Sequence, residues 1–157
     1  MLTPAVRVVL VMLVVTGIAY PLSLLAIGQE ILPVQSNGSI VNLDGRAVGS
    51  ALIAQDFTSP KFFHARPAAD SASGVDPDIT PEDAFSQVGS VSEATGIPQN
   101  PLKTLIQLNT ERNRSENLGA FAPDYVNVLK LNLDLVDQYP EVYTEFLEAR
   151  NAGDGRT

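Results

Sequence analysis

The sequence predicts an α+β fold with a single N-terminal transmembrane helix followed by one outward-facing, extracytoplasmic α+β domain. Three observations predict it: an uncharged apolar run, an Asp44-Gly45 turn signal between apolar stretches, and two amphipathic helix patterns after Thr80. The expected organisation is a cytoplasmic N-terminus over 1–7, a transmembrane helix over 8–27, an extracytoplasmic domain over 28–150 and a flexible tail over 151–157.

The apolar run at 8–27 has the length of a bilayer core, because a helix of that length rises about 30 Å. Arg7 is the only basic residue before Arg46, so the positive-inside rule predicts a cytoplasmic N-terminus and localisation as a single-pass protein of the cell membrane. Pro21 would disturb a soluble helix. Membrane helices tolerate proline where neighbouring helices, or a side chain such as Ser23, satisfy the freed carbonyl.

A cleaved signal peptide is the competing interpretation, because small residues around Gly28 lie at a plausible cleavage spacing. The run exceeds the usual signal-peptide core of about 7 to 15 residues, which favours a retained anchor. A buried core helix is disfavoured, since nothing polar marks a solvent face.

Charge and composition exclude several functions. All 18 acidic residues lie at or beyond Glu30 with nine basic ones, so this part of the chain has a formal net charge of −9. Such a surface repels nucleic acid and anionic headgroups. The absence of cysteine excludes disulfides, thiolate catalysis and cysteine-based zinc sites.

A β-hairpin is predicted from strands near 39–43 and 46–53, joined by the Asp44-Gly45 turn. Residues 65–78 are rich in Pro, Ala, Ser, Gly and Asp, and are predicted to form a loop. Asp76 in this loop has a second acid nearby, but the remaining ligands of a calcium loop do not follow. Asp76 is therefore expected to shape the turn before the next helix.

Two amphipathic helices are predicted next. Thr80 can cap the first helix, Pro81 suits its first position, and Gly96 can end it in a left-handed conformation. Asn100-Pro101 opens the second helix. The inward faces are predicted to contain Ala84, Phe85, Val88 and Val91 in the first helix and Leu102, Leu105 and Ile106 in the second.

Residues 124–138 are ambiguous, because their leucines alternate at strand spacing while other apolar residues keep helical spacing. We predict a strand through about Val128 that runs into a helix. The C-terminal segment is predicted to be a short helix with a packing face of Tyr143, Phe146 and Leu147, followed by a frayed tail.

The sequence predicts no catalytic residue and no metal site. His64 is the only histidine, and neither a G-x-S-x-G elbow nor an H-x-x-x-H or H-E-x-x-H spacing accompanies it. A structural or interface hydrogen bond of His64 is favoured. Arg66, beside Pro67, is expected either to bind Asp56 or Asp70 or to form an intersubunit contact.

The string GSALIAQDFTSPKFFHARPAA, residues 49–69, resembles the signature of the C subunits of Kdp-type potassium-transporting ATPases. The matching residues are Gly49, Ser50, Leu52, Ile53, Gln55, Phe57, Phe63, Arg66 and Pro67. Three further segments are similar in the same order: TGIAYPL (16–22), SASGVDPDITPEDAFSQV (71–88) and VNVLKLNLDL (126–135). The resemblance covers most of the chain.

The resemblance implies a single-pass subunit that assembles and stabilises a pump and assists its catalytic cycle. The implied partners are a channel-like potassium-binding A subunit, a P-type catalytic B subunit and a small F subunit, in a complex that uses ATP, Mg²⁺ and K⁺. No cofactor is expected on this chain, which has neither a Gly-rich phosphate loop nor a D-K-T-G sequence. The candidate partner or assembly residues are Tyr20, Pro21, Gln55, Phe57, Phe63, His64, Arg66, Pro67, Asp76, Gln87, Asn127 and Asn132.

Two features depart from the family pattern. Family members carry a longer stretch with S-G-G-S-N before the S-G-x-D-P segment, whereas here Pro67 is followed almost directly by Ser71. The basic residues that usually follow Q-V are replaced by GSVSEATG. The alternative functions are a membrane-anchored or secreted binding domain and a hydrolase that uses His64.

Overall fold

The computed structural model describes residues 2–43, 45–66, 75–116 and 123–152, and the chain divides into two compact units, Met1–Ile40 and Val41–Thr157. Predictions that fall on Asp44, Pro67, Asp70 and the last residues of the tail, 153–157, lie outside the described residues.

The first unit is built on a long apolar helix. Helix α1 covers Leu2–Val14, a π-helical segment covers Val15–Ala19, α2 continues over Tyr20–Ile31, and the short α3 covers Pro33–Ser36. The 29 residues of Thr3–Ile31 are long and apolar enough to cross a membrane, and their most apolar stretch is not buried within the chain. The prediction of one apolar N-terminal helix is confirmed, and the helix extends past 8–27 at both ends.

Pro21 lies in this helix without interrupting it, because the π-helical segment comes directly before it. The Tyr20 N–H donates to the Val15 carbonyl, a five-residue spacing that is wider than the α-helical one. The Ser23 hydroxyl donates to the Tyr20 carbonyl at 2.8 Å. In α-helical register the carbonyl that Pro21 frees is that of Gly17, so Ser23 does not serve it, and its satisfaction by neighbouring helices stays a prediction.

In the part of the second unit that the structure describes, two small sheets are combined with four helices, which confirms the mixed α+β class. Strands β1 (Ile40–Leu43) and β2 (Arg46–Ser50) form a hairpin, while β3 (Asp78–Ile79) pairs antiparallel with β4 (Val126–Asn127). The helices are α4 (Pro81–Thr95), α5 (Gln99–Glu116), α6 (Val128–Gln138) and α7 (Thr144–Ala152).

The hairpin was predicted correctly except at its end. Gly45 has a φ of 77°, as a tight turn with left-handed residues requires. Strand β2 stops at Ser50 instead of residue 53, because the Ile53 N–H donates back to the Ser50 carbonyl at 3.3 Å and closes a turn. Strand β3, which begins at the last residue of the predicted loop, was missed, since two residues are too few to show a period.

Helix α4 has the predicted caps. The Thr80 hydroxyl accepts from the Asp83 N–H at 3.1 Å, and Gly96 ends the helix with a φ of 74°. Phe85 is only half-buried, whereas the other three predicted inward residues of α4 are fully buried.

The core of this unit lies where α4, α5 and α6 meet around the β3–β4 pair. It contains Phe62, Phe63, Ile79, Ala84, Val88, Val91, Ile97, Leu102, Leu105, Ile106, Val126, Val128, Leu131, Leu135, Val136 and Tyr143. The prediction for 124–138 is confirmed, since β4 runs directly into α6. Helix α6 is buried on several sides, so it carries apolar residues around most of its circumference. This explains why its sequence matched both the strand spacing and the helix spacing.

Candidate functional site

Segment Phe62–Arg66 lies between α4 and α6 and is held by two side-chain amides. The Phe63 N–H donates to Asn132 Oδ1 at 2.9 Å, and Asn132 Nδ2 donates to the Phe63 carbonyl at 2.8 Å. The His64 N–H donates to Gln87 Oε1 at 2.8 Å, and Gln87 Nε2 donates to the His64 carbonyl at 3.1 Å. Successive residues of an extended chain present their polar groups to opposite edges, so each helix binds one edge.

These amides explain two candidate residues as structural groups. Asn132 is fully buried in α6, so its amide replaces the water that the Phe63 backbone loses on burial. Gln87 is half-buried and does the same for His64. The His64 backbone is thus hydrogen-bonded to Gln87, whereas the structural or interface hydrogen bond expected of the His64 side chain stays a prediction. His64 also lines a shallow groove.

Arg66 pairs with Asp83, and not with Asp56 as predicted. Arg66 Nε lies 3.5 Å from Asp83 Oδ2, with 38% of the arginine side chain exposed. On α4, Asp83 lies one helical turn before Gln87. Gln87 binds the segment at His64, and Asp83 binds it two residues later, at Arg66. The alternative partner Asp70 lies outside the described residues.

A groove of about 390 Å³ contains these groups, and its lining consists of His64, Ala65, Arg66, Ile79, Asp83, Ser86 and Gln87. The Ser86 hydroxyl donates to the Asp83 carbonyl at 2.7 Å. The oxygen and the nitrogen of the Gln87 amide are both hydrogen-bonded to the His64 backbone. The guanidinium of Arg66 is thus the cationic group that this groove presents to solvent. It can receive a carboxylate.

Aromatic residues fix the other end of the segment. The Phe62 ring centroid lies 5.0 Å from those of Phe57 and Tyr143 and 5.2 Å from that of Phe146. The Tyr143 hydroxyl donates to the Lys61 carbonyl at 2.9 Å, and burial raises the pKa of Tyr143 to about 12. Phe62 and Phe63 are both buried and anchor this end of the segment in the core.

Asn127 connects three parts of the domain. Its Nδ2 donates to Asp78 Oδ1 at 2.7 Å and to the Ala51 carbonyl at 2.9 Å, and its Oδ1 accepts from the Lys130 N–H at 3.2 Å as the cap of α6. Asn127 therefore joins the residue after β2, strand β3 and helix α6. Burial raises the pKa of Asp78 above its ordinary value; the Asn127 hydrogen bond opposes this shift, and the charge of Asp76 adds to it.

Asp76 and Gln55 shape the turns that flank this junction. Asp76 Oδ1 accepts from the Asp78 N–H at 3.1 Å, as the sequence predicted for a turn. Gln55 Nε2 donates to the Ile53 carbonyl at 3.0 Å, and the Gln55 side chain passes close to Gly49. Both residues thus have roles within the domain.

The remaining candidates are distributed elsewhere. Tyr20 and Pro21 are exposed on the apolar helix of the first unit, and Pro67 lies outside the described residues. Phe57, Phe63, His64, Arg66, Gln87 and Asn132 lie in one region, and Gln55, Asp76 and Asn127 in a second. Among the described residues, no group of three or more His, Asp or Glu side chains could hold a metal ion.

Sequence reasoning missed a polar cluster beneath α5. Asn109 and Asn113 are fully buried, with Asn109 Nδ2 donating to Asp134 Oδ2 at 2.8 Å and Asn113 Nδ2 to the Tyr125 carbonyl at 3.1 Å. Arg112 completes the cluster, its Nη1 lying 3.3 Å from Asp134 Oδ2. The signal was available, because Asn109 and Asn113 continue the helical spacing of Leu102, Leu105 and Ile106 and thus occupy core positions.

A family model described as the K⁺-transporting ATPase c chain, KdpC, matches residues 2–70 and 68–137. The potassium-transporting ATPase KdpC subunit of Clostridium kluyveri is 32% identical over 193 aligned positions, covering 83% of this chain and 90% of that protein. The KdpC subunit of Burkholderia vietnamiensis is 33% identical, covering 86% and 95%. The two pieces of the family match overlap at 68–70, next to the point where the sequence is expected to be shorter than the family pattern.

Proposed function

Because the chain belongs to the KdpC family of K⁺-transporting ATPase subunits, we propose that it is a non-catalytic accessory subunit of an ATP-driven, high-affinity potassium uptake pump. The observation that carries this proposal is the family match over residues 2–137, which spans the apolar helix and most of the second unit. Its role is to assemble and stabilise the complex and to assist the catalytic subunit.

The chain is retained in the cell membrane by the helix that contains Thr3–Ile31. Arg7 at its N-terminal end favours a cytoplasmic N-terminus, so the second unit faces outward. The helix packs against partner helices near Pro21, where Gly17 and Ala19 let backbones approach closely.

ATP is hydrolysed by a P-type catalytic B subunit, while a channel-like A subunit binds potassium and a small F subunit completes the complex. The sequence supports this division, because it has neither the Gly-rich loop nor the aspartate sequence by which ATPases hold or accept phosphate. ATP, Mg²⁺ and K⁺ thus belong to the complex rather than to this chain.

Arg66 forms an assembly contact in this proposal. Its ion pair with Asp83 is solvent-exposed at 3.5 Å and contributes little to stability. Segment Phe62–Arg66 is nevertheless rigidly held by Asn132 and Gln87, so the guanidinium occupies a fixed position from which it can bind a partner carboxylate bidentately.

The test is purification of the tagged full-length chain from detergent-solubilised membranes that contain the other pump subunits. We expect the subunits to be recovered together and to hydrolyse ATP in a potassium-dependent manner, and we expect removal of this chain to abolish activity or assembly. Recovery of the chain alone, with the other subunits fully active without it, would overturn the proposal.

A further inference from the structure

The turn after β2, residues Ala51–Ala54, presents two large aliphatic side chains to solvent. Leu52 is 62% exposed and Ile53 is 49% exposed. Val75, 48% exposed, lies beside them because the Ala54 N–H donates to the Val75 carbonyl at 2.9 Å. Single exposed aliphatic residues are common on soluble surfaces, whereas a contiguous group is typical of an interaction site.

The backbone of this turn is fixed in place. Ser50 closes it, since its hydroxyl accepts from the Leu52 N–H at 3.2 Å and its carbonyl accepts from the Ile53 N–H at 3.3 Å. Asn127 Nδ2 binds the Ala51 carbonyl at 2.9 Å and joins the turn to the core. Both aliphatic side chains are therefore held outward by bonds that the domain makes without a partner.

Gln55 supports the same turn from the side. It donates to the Ile53 carbonyl, and its side chain fills the space next to Gly49, where a Cβ would lie 2.8 Å from Gln55 Cδ. A turn that is ordered before binding loses little conformational entropy when it docks, which favours affinity.

Acidic residues flank the exposed pair. Asp56 follows it by three positions, and Asp76 is the neighbour of Val75. The part of the chain from Glu30 onward has a formal net charge of −9, which opposes contact with an anionic bilayer. The complementary surface is therefore that of a protein, apolar at its centre and basic at its rim.

We propose that the turn Ala51–Ala54 is a docking surface on which Leu52 and Ile53 insert into an apolar pocket, rimmed by Lys or Arg, of a protein partner. This inference rests on the proposed function, so the partner is another subunit of the pump.

The experiment compares the tagged full-length chain with a Leu52→Ser/Ile53→Ser variant and with Leu108→Ser, a control on α5 whose leucine is 50% exposed. Pump subunits that co-purify in mild detergent are quantified at low and high salt. We expect the double variant to lower their recovery about tenfold or more, as for central interface residues, and the control to retain it. Asp56→Lys should lower recovery at low salt, where charge pairing is strongest.

Two results would overturn the inference. The first is full recovery of the pump subunits by the double variant. The second is a thermal unfolding temperature of the double variant well below that of Leu108→Ser, which would assign the pair to a contact within the chain. Failure of the unmodified chain to recover any pump subunit would overturn the proposed function itself, whereas full recovery by both chains overturns only the docking surface.

Discussion

At the scale of single residues, the amides of Gln87 and Asn132 take the positions that neighbouring strands would occupy beside the backbone of Phe63 and His64. Each amide supplies one donor and one acceptor, which is what one edge of an extended residue requires. The sequence identified both residues as candidates through a family resemblance. Their bonding could not be predicted, because the amides lie 69 and 23 positions from the residues that they bind.

Asn132→Ala should destabilise the domain by about 2–4 kcal/mol, since it leaves a buried N–H and a buried carbonyl of Phe63 without partners. Gln87→Ala should cost about 1 kcal/mol or less, because water can reach the half-buried His64 backbone. Urea unfolding of both variants in detergent, followed by far-UV circular dichroism, measures the difference. Equal losses would contradict the assignment of Asn132 as the buried partner.

Arg66→Ala should change the free energy of unfolding by no more than about 1 kcal/mol, because its ion pair with Asp83 is exposed. The same change should lower co-purification of the pump subunits. Arg66→Lys keeps the charge without the planar guanidinium, so it should restore stability but only part of the assembly. A large loss of thermal stability with normal assembly would instead make Arg66 a structural residue.

Asp78 should make the domain less stable as pH rises. Burial raises the folded-state pKa of Asp78 above its ordinary value of 3.8, so the folded domain binds a proton that the unfolded chain has already released. This stabilisation is complete below the ordinary pKa and is lost as pH rises through the folded-state pKa. Asp78→Asn preserves the acceptor for Asn127 and should be relatively more stable at pH 7 than at pH 4. Exposed Asp137→Asn serves as the control, and parallel pH profiles for the two variants would reject the assignment.

At the scale of elements, the caps of α4 and the strand β4 before α6 were predicted from the sequence, whereas its partner strand β3 was not. Thr80, Pro81 and Gly96 carry local signals that act within one turn of α4. Strands β3 and β4 have only two residues each and exist because Asp78 lies opposite Asn127, which is a long-range pairing. Local propensity fixes caps, whereas tertiary contacts fix two-residue strands.

Opposite effects are expected for two glycines, one inside α4 and one at its C-terminal cap. Gly96→Ala forces a Cβ into a left-handed φ of 74° and should cost about 1 kcal/mol. Gly89→Ala lies in the helix interior, with no atom within 4 Å of the new Cβ, and should stabilise by about 0.5–1 kcal/mol. Chemical denaturation of the two variants measures the change in the free energy of unfolding for each. Changes of the same sign would contradict the ending of α4 at Gly96.

At the scale of the whole molecule, the two units have separate sources of stability. Among the described residues, the buried core cluster of the second unit runs from Phe62 to Tyr143. The prediction of an apolar N-terminal helix required only an uninterrupted run of apolar residues, and the helix is confirmed for that reason. The groove at Arg66 combines residues from the segment before 67 with residues from α4. These two parts come together only through tertiary packing, so local sequence patterns could not predict the groove.

A chain that begins at Gln29 should therefore keep the fold of the second unit while losing membrane association. We expect cooperative thermal unfolding with a helical circular dichroism spectrum, and recovery in the soluble fraction. A matched full-length chain should sediment with membranes. An unfolded truncated chain would show that the apolar helix is needed to stabilise the domain.

The clamp on Phe63 also sets the order in which the domain can be completed. Asn132 lies 69 positions after Phe63. During synthesis, the Phe63 backbone therefore lacks this hydrogen-bond partner until α6 has been made. Until then, the aromatic end of the segment stays uncovered and accessible to chaperones or proteases. The segment around Phe63 can therefore reach its final packing only after the last third of the chain has been made.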